Sequence, residues 1–235
     1  MWVMKMCGRF AIAASKDEML AYLQEYLDLL DETGLEFRLP RYNISPGELI
    51  PVVVSADGKC ALRLLKWGFV PTFARNETKP LRLINAKAET IADKPAFRAS
   101  FRRRRCLIPA TGFFEWKATG GPKTPYYITV RNQPFFALAG IWDDYRIATG
   151  EAGSACAILT TAAGRILLPV HDRMPVIVDV ANYGLWLEEE TDPERLRALF
   201  YSVADERLEL AEVSPAVNKP GNDVIECITP IRSRQ

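Results

Sequence analysis

Only one histidine, His171, occurs in the 235 residues, and the five cysteines (Cys7, Cys60, Cys106, Cys156, Cys227) are scattered without a C-x-x-C pair. An odd number at wide spacing argues against a disulfide framework and against a zinc site. No Gly-rich phosphate loop and no metal-ligand spacing appears, so neither metal nor cofactor is expected. No apolar run approaches the roughly 18 residues that would span a bilayer. The first residues, Met1 to Met6, also lack the apolar stretch of a signal peptide. Internal repeats and low-complexity segments are missing as well. These absences leave a protein of a reducing compartment, with the cytoplasm as its expected location.

What is present suits a folded domain. Hydrophobic residues make up 49% and charged residues 25% of the chain, enough for a sizeable core in one domain. Net charge is only +1, but it is unevenly spread. Residues 58–117 hold six Lys and eight Arg against four acidic residues, so the remainder is net acidic. Such asymmetry suits a basic face for a polyanion such as nucleic acid, and equally a solvated helix end at Arg102 to Arg105.

Near the start stands Met6-Cys7-Gly8-Arg9-Phe10. If translation begins at Met6 and that methionine is removed, Cys7 carries a free α-amine and a thiol on adjacent carbons. An aldehyde can condense with the amine, and the thiol then closes a five-membered thiazolidine in an intramolecular step. The alternative is a small buried hydrophobe beside a strand.

Further along, Ser15 and Glu18 form a capping box before Met19, Tyr22, Leu23, Tyr26, Leu27 and Leu30, predicting a helix that ends near Gly34. Residues 41–47 read as a loop set by Pro46 and Gly47. Apolar runs at 51–55 and 61–67 flank a hairpin turn at 56–58. Residues 97–105 read as a short basic helix. Strands are expected over 106–109, 126–130, 135–142, 155–160, 208–213 and 223–228, with a helix from Asp192 to about Val203. Strands dominate and no β-helix-β rhythm appears. The fold class is α+β: a single domain built on a largely antiparallel, barrel-like β-sheet with flanking helices.

Three polar positions stand out. Asn85 follows an apolar pair, either as a strand cap or as a fixed amide that donates and accepts. Glu115, within Gly112-Phe113-Phe114-Glu115-Trp116, is flanked by aromatic residues whose desolvation would raise its pKa for general acid work. Period two also allows it to point at water from an edge strand. His171 carries an imidazole, a side chain suited to proton transfer, or is simply structural.

Together, Met6-Cys7-Gly8-Arg9-Phe10, Trp67-Gly68, Asn85-Ala86-Lys87-Ala88-Glu89-Thr90, Gly112-Phe113-Phe114-Glu115-Trp116, Thr160-Thr161-Ala162 and His171-Asp172-Arg173-Met174-Pro175 resemble the SRAP family of SOS-response-associated proteins. The resemblance runs from Cys7 to about Asp223. It implies a monomer that traps abasic sites in single-stranded DNA through a thiazolidine on Cys7. By motif, Asn85 would position the amine and sugar oxygens, Glu115 would act as acid and base, and His171 would assist proton transfer. Arg9, Trp67, Lys87, Trp116, Thr160 and Arg173 would contact phosphates or bases. Lys87 stands where the family usually has Arg. Residues 1–6 are then a leader or a misplaced start, 7–230 the domain and 231–235 a tail. Two other readings stay open: a cysteine peptidase or N-terminal amidohydrolase with His171 as base, and a non-catalytic single-strand-binding module.

Overall fold

The computed structural model describes residues 7–30, 34–56, 58–118, 120–201 and 203–231. The leader expected at 1–6 and residues 232–235 of the expected tail lie outside the described residues. In chain order the strands are β1 (Phe10–Ile12), β2 (Arg41–Ile44), β3 (Leu49–Ala56), β4 (Lys59–Trp67), β5 (Asn85–Lys87), β6 (Arg105–Ala110) and β7 (Gly112–Lys117). They continue as β8 (Thr124–Val130), β9 (Phe136–Arg146), β10 (Ala152–Ala162), β11 (Arg173–Pro175), β12 (Ile177–Val178) and β13 (Leu208–Glu212). Helices α1 (Lys16–Tyr26), α2 (Arg98–Arg103), α3 (Tyr183–Leu187) and α4 (Pro193–Arg197) flank them.

Five strands close on themselves in the order β10, β4, β3, β6, β9 and back to β10. Every pair in the ring is antiparallel except β10 with β4. Closure pairs the edges that an open sheet of these apolar strands would expose. All six residues of β6 are buried. Close packing of β6 on β9 requires Gly140, because a Cβ there would sit 2.6 Å from Cys106 Sγ. A second sheet, ordered β13, β8, β7, β1, β2, carries β7 in its centre. The chain passes from the barrel into this sheet at Thr111, whose hydroxyl accepts from the Ala13 amide at 2.9 Å and donates to the Ala11 carbonyl. The expected α+β barrel with flanking helices is the observed fold.

Local structure departs from the sequence expectation at four places. The capping box forms as read, with the Ser15 amide donating to Glu18 at 2.8 Å and the Glu18 amide to Ser15 at 3.2 Å. The helix nevertheless stops at Tyr26, because Leu27 turns extended and the next backbone pairs with β4. There the Cys60 amide donates to the Asp28 carbonyl and the Leu30 amide to the Cys60 carbonyl. Residues 41–44 are a strand, not a loop: β2 pairs with β1, and Asp223 accepts from the Tyr42 and Asn43 amides. Asp223 is thereby committed to β2, and the expected strand over 223–228 is replaced by a 3-10 turn at Ile225–Cys227. The helix begun at Asp192 ends at Arg197.

Candidate active site

Antiparallel pairing of β1 with β7 sets Phe10 against Phe113 and Ala11 against Gly112. Continuing that register brings Gly8 level with Glu115, and the Phe114 amide donates to the Arg9 carbonyl at 3.0 Å. The Cys7-Gly8-Arg9 segment therefore lies along the strand that bears Glu115. Glycine is required at 112, where a Cβ would fall 2.2 Å from the Tyr127 ring.

Glu115 is 2% exposed. The edge-strand alternative fails because β7 lies between β1 and β8, with both faces covered. Phe114 and Trp116 pack with Tyr127, Val217 and Cys227 on one face, and Phe113 belongs to the main core that contains Cys7. Burial pushes the Glu115 carboxyl well above its ordinary pKa, Asp172 adds to the rise, and Lys123 opposes it. Its Oε1 has no hydrogen-bond partner among the described residues. A carboxyl that holds its proton more tightly than usual and has an oxygen unused suits the role of a proton donor.

Cys7 is fully buried, and its Sγ lies 4.0 Å from the Arg9 carbonyl. Burial and then the charge of Glu115 raise its thiol well above the usual range. The sulfur thus rests as a thiol that must lose its proton to a base before it attacks. His171 stands before β11, with Nδ1 3.7 Å from Glu115 Oε2 and 3.6 Å from Asp172 Oδ1. The Arg173 amide donates to the same nitrogen at 3.1 Å, and the Arg173 carbonyl lies 3.0 Å away. Either ring protonation state finds a backbone partner, so the imidazole keeps its orientation through a proton transfer. No Cys7–His171 hydrogen bond is present among the described residues.

Arg9, Glu115, Trp116, Lys123, His171, Asn218 and Pro220 line one cavity of about 320 Å³. Arg9 is nearly buried, yet no carboxylate reaches salt-bridge distance of it among the described residues. Its Nη1 donates to Asn43 Oδ1 at 2.6 Å and to the Val217 carbonyl at 2.8 Å, while its Nε is unpaired. Trp116 lies 5.8 Å from this guanidinium and donates from Nε1 to Asn218 at 2.6 Å. Burial lowers the Arg9 pKa while Glu48 opposes the fall, and a buried cation that no carboxylate contacts directly, facing a cavity, suits an anion. Asn85 opens β5 opposite Ile158 of β10, and neither its Nδ2 nor its Oδ1 has a partner among the described residues.

Other expected contacts lie elsewhere. Trp67 has no exposed surface and donates from Nε1 to the Ile84 carbonyl at 2.8 Å, so it is core and offers no face to a base. Thr160 is likewise fully buried, and its carbonyl accepts from Arg173 at 2.5 Å. Arg173 spends its fork on Glu89, at 2.5 and 2.9 Å. Lys87 is exposed and level with Thr160. Sequence reasoning missed Asn43, Lys123 and Asn218 as site residues.

Fold and pocket together define a class, barrel proteins that keep a desolvated acid and an imidazole on one cavity, with a buried cysteine in the segment that runs along the acid's strand. More narrowly, the chain belongs to the SOS response associated peptidase (SRAP) family, whose model matches residues 6–220. It is 35% identical over 226 residues to abasic site processing protein YoqW of Bacillus subtilis, covering 95% of this chain and 99% of that protein. Abasic site processing protein YedK of Escherichia coli is 30% identical over 96% of this chain and 100% of its own. A crystal structure of a Bacteroides thetaiotaomicron protein superposes with a TM-score of 0.79 at 25% identity, covering 96% of this chain and all of that one. No helix among the described residues is long and apolar enough to cross a membrane.

Proposed function

We propose that this protein processes abasic sites in DNA by trapping the lesion covalently on Cys7. The observation that carries the reading is Glu115, a buried, proton-retaining carboxyl with a free oxygen beside Cys7 and 3.7 Å from His171. The names of the relatives, abasic site processing proteins, support the same substrate. An abasic sugar is mostly a closed hemiacetal, so its aldehyde appears only when the ring oxygen is protonated. A carboxyl held protonated near neutral pH does this.

As the C1′–O4′ bond breaks, the C1′ hydroxyl returns its proton to Glu115; the α-amine of Cys7 then adds to C1′, forming a C–N bond, and the resulting hydroxyl leaves as water with that proton. The Glu115 carboxylate takes the thiol proton, and sulfur adds to the C=N carbon while nitrogen regains a proton. One C–N and one C–S bond form, and one water is released. His171 relays protons to solvent. Asn85 supplies an amide for the amine and the sugar oxygens, and Arg9 holds a flanking phosphate. Single-stranded DNA is the expected form, bound by a monomer, and no base needs extruding from a pocket of this size. The chemistry requires that residues 1–6 be absent from the working protein, by internal initiation at Met6 or by cleavage.

Protein beginning at Cys7 should form an adduct with abasic single-stranded DNA that survives SDS and heat, and Cys7→Ala should abolish it. An Ala variant that crosslinks as well as the parent would overturn the mechanism. The same adduct distinguishes trapping from passive single-strand binding, which predicts equal retention of intact and abasic strands and no covalent product.

A further inference from the structure

A second polar pocket, remote from the cavity above, is lined by Ser55, Arg63, Arg103, Arg104, Trp142 and Glu189 among others, and encloses about 350 Å³. β6 carries the chain about 17 Å from Arg105, another wall of this pocket, to Ala110 before the strand of Glu115 begins. Two guanidiniums lean on the half-buried Trp142, Arg63 at 5.4 Å and Arg104 at 5.6 Å from the ring. Cation–π contact of this kind holds an arginine in place while its N–H edges stay available, so less freedom is lost when a ligand arrives. Arg104 also pairs with Asp143, which Arg75 contacts at 2.6 Å. Arg63 and Arg103 are exposed and have no ion pair among the described residues. Buried Arg105 takes no part in recognition, since backbone carbonyls occupy its donors. Among the described residues Glu189 is the one carboxylate on the pocket wall. The balance is a small cationic surface with pre-placed forks around an aromatic ring, which suits phosphodiester oxygens better than a neutral ligand.

We propose that Arg63, Arg103 and Arg104, arranged around Trp142, form a second contact for the sugar-phosphate backbone of a nucleic-acid strand, separate from the reactive cavity. It gives length-dependent affinity without sequence preference, because phosphate contacts carry no base information. The proposal rests on the DNA reading only for its choice of polymer, so its test uses undamaged strands.

The double variant Arg63→Gln/Arg103→Gln removes two unpaired charges outside the reactive cavity. Its affinity for an intact single strand of about 30 nucleotides is measured across a salt series, against one of about 6 nucleotides. Each lost phosphate contact lowers the log–log salt slope by about 0.7, so the long strand should show a slope smaller by about 1.4. The expected loss of affinity for it is about tenfold at moderate salt, and the short strand should be little affected. A charge-matched control, Arg131→Gln/Arg195→Gln, should leave the slope difference between long and short strands intact. An unchanged slope for the long strand, or the same fall in the control, overturns the proposal. Adduct formation by the double variant on a short abasic strand is read separately. If parent and variant both fail there while the slopes behave as stated, the trapping mechanism falls and this contact stands.

Discussion

Two buried polar centres lie in this molecule, and they are built on opposite principles. Around Arg105 every donor has a partner: Nε gives to the Trp186 carbonyl at 2.7 Å, and Nη1 gives to Phe101 and Arg102 at 2.6 Å. Nη2 gives to Glu188 and, at 3.4 Å, to Glu189. Burial pulls its pKa down to about 10, the acidic run Glu188 to Glu190 pushes back, and the side chain ties α2 to the end of α3. In the cavity, by contrast, Glu115 Oε1 and Arg9 Nε are buried and unpaired, as are both amide atoms of Asn85 at the start of β5. Leaving such groups unmet costs about 1–3 kcal/mol each, so they are retained for something other than stability. A satisfied buried charge is architecture; under the proposed function, the unpaired groups of Glu115 and Arg9 are those that the substrate would meet.

The comparison breaks most readily at Arg105. Arg105→Met should cost about 3–5 kcal/mol of unfolding free energy in a urea titration, because carbonyls of two helices lose their common donor. A loss below about 1 kcal/mol would show that those contacts are dispensable.

Glu115→Gln should do the reverse, slowing adduct formation by about 100-fold or more while making the fold more stable. The folded-state pKa of Glu115 lies above that of the unfolded chain, so its proton stabilises the fold fully below about pH 4.3. That stabilisation is lost as pH rises toward the elevated folded value. Thermal melts should therefore show the Gln variant gaining more over the parent at about pH 8 than at about pH 5. An equal difference at both would contradict the assigned protonation.

For Asn85→Ala, smaller effects are expected. Trapping should slow about tenfold, with stability changed by less than about 1 kcal/mol, since no intramolecular bond is lost. A large destabilisation in melts would instead make Asn85 a structural cap. Smallest of all is Lys87→Arg, which restores a planar fork on the exposed face of β5 and should tighten DNA about two- to threefold in a binding titration. No change would place Lys87 away from the strand's path.

How far these centres could be read from the sequence differs for physical reasons. The Glu115 strand was legible because aromatic flanks announce desolvation, although period two alone left its face undecided. That question was settled by β1 pairing along β7, a contact about a hundred residues distant in sequence. The barrel was visible as runs of strand, but its closure by β9 on β10 was not. Trp67 reads better as core than as a stacking platform, and its burial with the indole donating to the Ile84 carbonyl agrees. The run Arg102 to Arg105 looked uniformly basic, yet a single step along the chain separates exposed Arg104 from buried Arg105. Asn43 escaped notice because its partners, Arg9 and the carbonyls near Asn222, come from both ends of the chain.

The most direct test is mass analysis of the product formed when protein starting at Cys7 meets an abasic oligonucleotide. The predicted species equals protein plus DNA less one water, maps to Cys7, and leaves no alkylatable thiol at that residue. A product of the same mass whose Cys7 thiol can still be alkylated, or one mapped to Lys123, would contradict closure of the ring.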